Sequence, residues 1–161
     1  MKTHLLLGAL ATLAVLGGCK KHDHAHADHA HAHDHGGHVH TAPHGGVLVE
    51  LGDHAYNLEF VVQPDAGRLL MYVLSGHADQ FVRSAMGSVE LWIMDGEQSR
   101  TLALMPMANP ITGETVGNTS LYSAEADWLK RGAPFSGVIQ SVSIGGARFE
   151  GIRFAVPGAA P

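Results

Sequence analysis

Tyr56-Asn57-Leu58-Glu59-Phe60-Val61-Val62-Gln63, then Pro64-Asp65-Ala66-Gly67, then Arg68-Leu69-Leu70-Met71-Tyr72-Val73-Leu74-Ser75 is the stretch whose reading decides the fold. Tyr56, Leu58, Phe60 and Val62 alternate with Asn57, Glu59, Val61 and Gln63, the two-residue period of a strand with one apolar face. Pro64 presets a turn backbone and Gly67 tolerates positive φ, so the chain is expected to reverse there and return as a second strand over 68–75.

Downstream the same grammar repeats. Val89, Leu91 and Ile93 alternate ahead of Asp95-Gly96, a favoured hairpin pair, and Ser99 to Met105 can return beside them. Val138 to Ile144 and Arg148 to Val156 flank Gly145-Gly146 as a third hairpin, and a loop is read through Pro106, Pro110 and Gly113. Only Ala124 to Arg131 hints at a helical turn. Short strands joined by tight turns imply an all-β domain, a small β-sandwich with a small barrel as the alternative closure. Its expected core is Leu58, Phe60, Leu70, Tyr72, Leu91, Ile93, Leu102, Val142, Phe149 and Phe154.

Upstream the character changes near Pro43-His44. Residues 20–41 hold almost no large apolar side chains, so they cannot offset the entropy of ordering and are read as a disordered, His-rich tether. Of the 13 histidines in the chain, only His4, His54 and His77 lie outside the run His22, His24, His26, His29, His31, His33, His35, His38, His40, His44. Neutral imidazole offers a lone pair to borderline ions, and nitrogen donors without thiolate suit Zn, Cu(II) or Ni. Two-residue spacing puts neighbouring rings on one side of an extended chain, with Asp23, Asp28 and Asp34 available to accept ring N–H bonds. The tract is therefore expected to gather several divalent ions in small overlapping clusters, and to release them as the rings protonate at about pH 5. His24-Ala25-His26-Ala27-Asp28-His29 matches the H-x-H-x-D-H spacing of metallo-β-lactamase-like hydrolases, but the repeat itself generates that match.

Met1-Lys2-Thr3-His4, an apolar run from Leu5 to Leu16, and Gly17-Gly18-Cys19 follow the order of a secretory signal peptide. The run is shorter than the roughly 20 apolar residues that span a bilayer. Leu16-Gly17-Gly18-Cys19 resembles a bacterial lipobox, which implies that Cys19, the chain's single cysteine, is lipidated and becomes the mature N-terminus. By resemblance to enterobacterial sorting, Lys20 after that cysteine favours the periplasmic face of the outer membrane. The expected organisation is a lipoprotein signal peptide over 1–18, the lipidated Cys19 and His-rich tract over 19–43, the β domain over 44–156 and a tail over 157–161. The net charge of −5, with no basic run, excludes the electrostatic footprint of a nucleic-acid binder.

Pro43-His44-Gly45-Gly46, continued by Val47 to His54 and by the strand from Tyr56, resembles the P-H-G-G segment of periplasmic adaptor subunits of heavy-metal efflux systems and of small His-rich bacterial lipoproteins. The likeness covers 43–75 and implies a metal-related role in the cell envelope, with an efflux or uptake component as partner. Those relatives often carry His at the position of Asn57. His44, His54, Glu59 and His77 are the candidate ligands in the domain, whereas Met105-Pro106-Met107 fits core packing better than Cu(I) binding. No Ser-His-Asp triad, phosphate loop or framed carboxylate pair is visible, so no enzymatic activity is expected. Two functions remain: a lipid-anchored protein that buffers, sequesters or delivers metal, and an envelope protein-interaction module whose His-rich tether senses metal.

Overall fold

The hairpin that decides the fold is present. Strand β2 (Tyr56–Gln63) runs through a 3-10 turn at Pro64–Ala66, reverses at Gly67 with φ +61°, and pairs residue for residue with β3 (Arg68–Ser75). These strands belong to a computed structural model that describes residues 40–158. The signal peptide, Cys19, the tract from His22 to His38 and the last three residues lie outside the described residues.

The remaining strands are β1 (Val47–Leu51), β4 (Val89–Asp95), β5 (Gln98–Pro106), β6 (Leu121–Glu125), β7 (Phe135–Ile144) and β8 (Ala147–Val156). All pairings are antiparallel, in the order β1-β2-β3-β6-β5-β4-β7-β8, and no α-helix occurs among the described residues. The domain is all-β, and its closure falls between the two expected forms. Two four-stranded halves, β1-β2-β3-β6 and β5-β4-β7-β8, are joined at one side only by Met105↔Ser123 and Pro106↔Tyr122. At the other side β1 lies beside β8, so the sheet nearly closes into a flattened barrel.

Local chemistry explains the turns. Gly145 and Gly146 both take positive φ in a two-residue loop between Ile144 and Ala147, the arrangement of a type I′ hairpin. The β4–β5 turn sits one residue later than the sequence pair suggests. Asp95 still pairs with Gln98, and the loop is Gly96-Glu97 with only the glycine at positive φ, a glycine-first turn of type II′ character. The helical hint resolves into the end of β6 followed by a 3-10 turn at Asp127–Arg131. Strand β6 itself was not legible, since Leu121-Tyr122-Ser123-Ala124-Glu125 has no clean alternation.

Leu58, Phe60, Leu91, Ile93, Val142 and Phe154 are buried in the core as expected, and Phe60 stacks on Phe154 at 4.5 Å between ring centroids across the two halves. Leu102 and Phe149 are partly buried against it. Leu70 is buried as expected but outside the main cluster, and Tyr72 is only partly buried. Strand β3 is apolar on both faces, so alternation alone could not choose its inner side. Register chooses it: Phe60↔Met71, Leu58↔Val73 and Val62↔Leu69 place Leu69, Met71 and Val73 inside. Leu70 and Leu74 are buried instead under segments that cover the outer face of β2 and β3.

Strand β4 states the alternation most plainly, with Leu91 and Ile93 inside and Trp92 and Met94 about half exposed. Ile93→Ala should therefore cost about 2–5 kcal/mol in chemical denaturation, whereas Met94→Ala should stay within about 0.5 kcal/mol of the parent. Equal losses at the two positions would contradict this assignment of faces.

Candidate functional site

Glu59 projects from the outer face of β2, yet its side chain has 0% exposure. It is covered by the turn that leads into β1. The backbone N–H groups of His44 and Gly46 donate to Glu59 Oε1 at 2.8 and 3.0 Å, and His44 Nδ1 lies 2.7 Å from Oε2. A carboxylate that receives all three donors takes the proton of His44 on Nδ1 and leaves Nε2 as the free lone pair. The His44 ring lies flat on Tyr72, with centroids 3.8 Å apart and 6° between planes, and Phe81 borders it at 5.7 Å. Burial, and then the charge of Glu59, push the Tyr72 phenol above its ordinary range.

Each residue after Pro43 has a physical role here. His44 supplies a backbone and a ring donor to Glu59. Gly45 takes φ +73°, and its N–H closes a turn on Ala42 O at 3.2 Å. Gly46 has no room for a side chain, because a Cβ would stand 2.2 Å from Phe60 O. The two glycines therefore shape a turn that seats the chain on the sheet.

A second group gathers at the end of the sheet where β1 turns into β2 and β3 leaves for β4. His54 sits in the four-residue β1–β2 turn at φ +54°, a left-handed conformation that costs a non-glycine residue roughly 1–2 kcal/mol. Glu50 grips it much as Glu59 grips His44. One oxygen accepts the His54 backbone N–H at 3.1 Å, and the other lies 3.0 Å from Nδ1 in an ion-pair contact. His77 lies in the turn after β3. That turn is fastened to β2 by Asn57, whose buried amide donates to Ser75 O and Gly76 O at 3.2 and 2.7 Å. Gly76 lets the two turns touch, since a Cβ there would stand 1.8 Å from His54 O.

His40 bridges these turns, with its ring centroid 6.2 Å from that of His54 and 5.4 Å from that of His77. The neighbouring Asp79 accepts a 2.6 Å hydrogen bond from the Ser75 hydroxyl. That bond above all holds its carboxyl below the usual range, with its own backbone N–H, His77 and His40 adding to the effect. Among the described residues no three His, Cys, Asp or Glu side chains already converge on one ion-sized point.

Of the expected site residues, the structure thus places His44 with Glu59 in one buried pair, and His40, His54 and His77 in a separate cluster. Cys19 and His22, His24, His26, His29, His31, His33, His35 and His38 lie outside the described residues. Sequence reasoning missed Glu50, Ser75 and Asp79 as partners. Glu50 stands four residues before His54, a spacing that a tight turn brings together, and Asp79 follows His77 by two. Asn57 is a structural clamp: its side-chain amide donates to the carbonyls of Ser75 and Gly76. Comparison with protein-family models, curated proteins and solved structures finds no match to this chain.

Glu59→Gln tests the buried pair. The amide oxygen can still accept both backbone N–H groups, but the amide N–H then faces Nδ1 and drives the His44 proton to Nε2. Nitrogen NMR should show the protonated ring nitrogen change place, with a stability loss of about 1–2 kcal/mol in denaturant. A tautomer that stays as it was would mean that Glu59 does not hold that proton.

Proposed function

We propose that the protein is a lipid-anchored envelope protein that binds divalent transition metals, Zn, Cu(II) or Ni, and buffers, sequesters or delivers them beside an efflux or uptake system. One observation carries this reading: imidazoles are concentrated from His22 to His44, and the described end of that run, His40 and His44, sits on the β domain next to carboxylate-gripped histidines. A spacer has no need of imidazole, and borderline ions take neutral nitrogen donors readily. Anchoring through Cys19 holds the tract at a membrane surface, on the periplasmic side by the order of the leader. The role is binding without turnover.

The second reading, a protein-interaction module with a metal-sensing tether, has support in Trp92 and Met94, which β4 leaves exposed beside Arg100 and Arg153 around one shallow cavity. Deleting residues 20–41 separates the two. The metal-binding reading expects the deletion to remove most bound metal; the interaction reading expects recovery of an envelope partner to survive it.

The direct measurement uses tag-free chain expressed from position 19 with Cys19→Ser. Equilibrium dialysis and mass spectrometry of the bound metals should find several ions per chain at neutral pH. Most should be released near pH 5, because free imidazole titrates at about 6.5 and protonation removes the lone pair. Weak uptake without pH dependence would defeat the proposal.

A further inference from the structure

We propose that His40, His54 and His77 form a discrete three-histidine site for one divalent transition-metal ion, separate in geometry from the upstream tract. This inference rests on the metal-binding reading and gives it a fixed location.

The ring geometry is close to what an ion needs. Two imidazoles bound through nitrogen at about 2.0–2.1 Å to one tetrahedral ion have centroids about 5 Å apart. The observed separations from His40 are 5.4 and 6.2 Å, within about an ångström of that spacing, and a bound ion would draw the His54 and His77 rings toward each other. The planes stand at 71° and 78° to one another. Edge-to-face rings can aim their in-plane lone pairs at a common point, which stacked rings such as His44 on Tyr72 cannot.

The surroundings point the same way. Metal-bound histidines nearly always donate their other ring N–H to a carboxylate or carbonyl, which fixes the tautomer and raises the basicity of the ligating nitrogen. A Glu50 carboxylate oxygen lies 3.0 Å from His54 Nδ1, near enough to take that part when an ion binds. Asp79 is an anionic neighbour of both His77 and His40 and is held by Ser75, available as a further oxygen ligand or as an acceptor for a ring N–H.

The scaffold is also committed. His54 adopts a strained left-handed backbone, Gly76 permits contact between two loops that any side chain would separate, and Asn57 fastens the second loop to the sheet. Together they hold the turns that carry His54 and His77 against each other, with the His40 ring near both imidazoles. Three neutral nitrogens and a carboxylate suit Zn(II), Ni(II) or Cu(II), and His40 makes the last part of the tract a ligand of the folded domain.

The test uses the chain from position 19 with Cys19→Ser and with every histidine from His22 to His38 replaced by serine, which silences the tract and keeps His40. Titration with zinc chloride and copper(II) chloride, followed by calorimetry and metal analysis, should give one ion per chain. Zinc should shift the nitrogen resonances of His40, His54 and His77. His54→Asn, whose new residue tolerates the left-handed backbone, and His77→Gln should each weaken binding at least about tenfold. Both variants should keep the parent melting temperature in chelator. If the silenced chain takes up no ion while the unmodified chain loads several, the discrete site is refuted and the tract reading stands. If neither binds, both fall. Undiminished binding in His54→Asn or His77→Gln would also overturn the proposal.

Discussion

A carboxylate with no solvent exposure on the outward face of a strand is the constraint from which the rest of this domain follows. Removing such a group from water costs several kcal/mol. Hydrogen bonds to charged groups contribute roughly 1.5–3 kcal/mol each, so the three that Glu59 receives are of the size needed to offset the penalty. Two of them come from the backbone of a turn and one from the ring that the turn carries. Glu59 therefore fixes residues 44–46 against β2, and with them the point at which the chain enters β1 beside β2.

The same chemistry occurs again with a different outcome. Glu50 accepts the backbone N–H of His54 and lies 3.0 Å from its Nδ1, a looser version of the Glu59–His44 pair, and Glu50 is 42% exposed and His54 48%. Water competes for the outer pair, which contributes little to stability. Its effect is on orientation: the carboxylate holds the His54 imidazole beside its own turn, near the His40 ring. The inner pair serves architecture and the outer pair chemistry, with burial alone deciding between them.

Most of the fold could be read from the chain because its turns are chemically explicit. Pro64 to Gly67 and Gly145-Gly146 each fix a reversal, and a reversal fixes the register of the strands it joins. Where the sequence was apolar on both sides, as at Leu69 to Leu74, register across β2 made a choice that no local pattern contains. Strand β6 escaped notice for a related reason, because its pairing with β3 and β5 is set by tertiary contact. The site was half legible. His40, His44, His54, Glu59 and His77 stood out by type, but their grouping depends on which loops meet at one end of the sheet. Gly76 and Asn57 govern that meeting, and nothing in their identity marks them as ligands.

Placing imidazoles on a sheet changes what binding costs. An ion gathered by residues of a low-complexity tract must order the backbone that links its ligands, at roughly 1–2 kcal/mol for each residue fixed. His54 and His77 carry little of that cost, since hydrogen bonds already hold their turns against β2 and each other. Equal donor sets would then differ in affinity in favour of the folded domain. Under the proposed function this sets a direction: ions gather on many weak ligands near the membrane anchor and settle where His40 meets the sheet. Among the described residues, the contact between the two turns is what gives His54 and His77 their fixed positions.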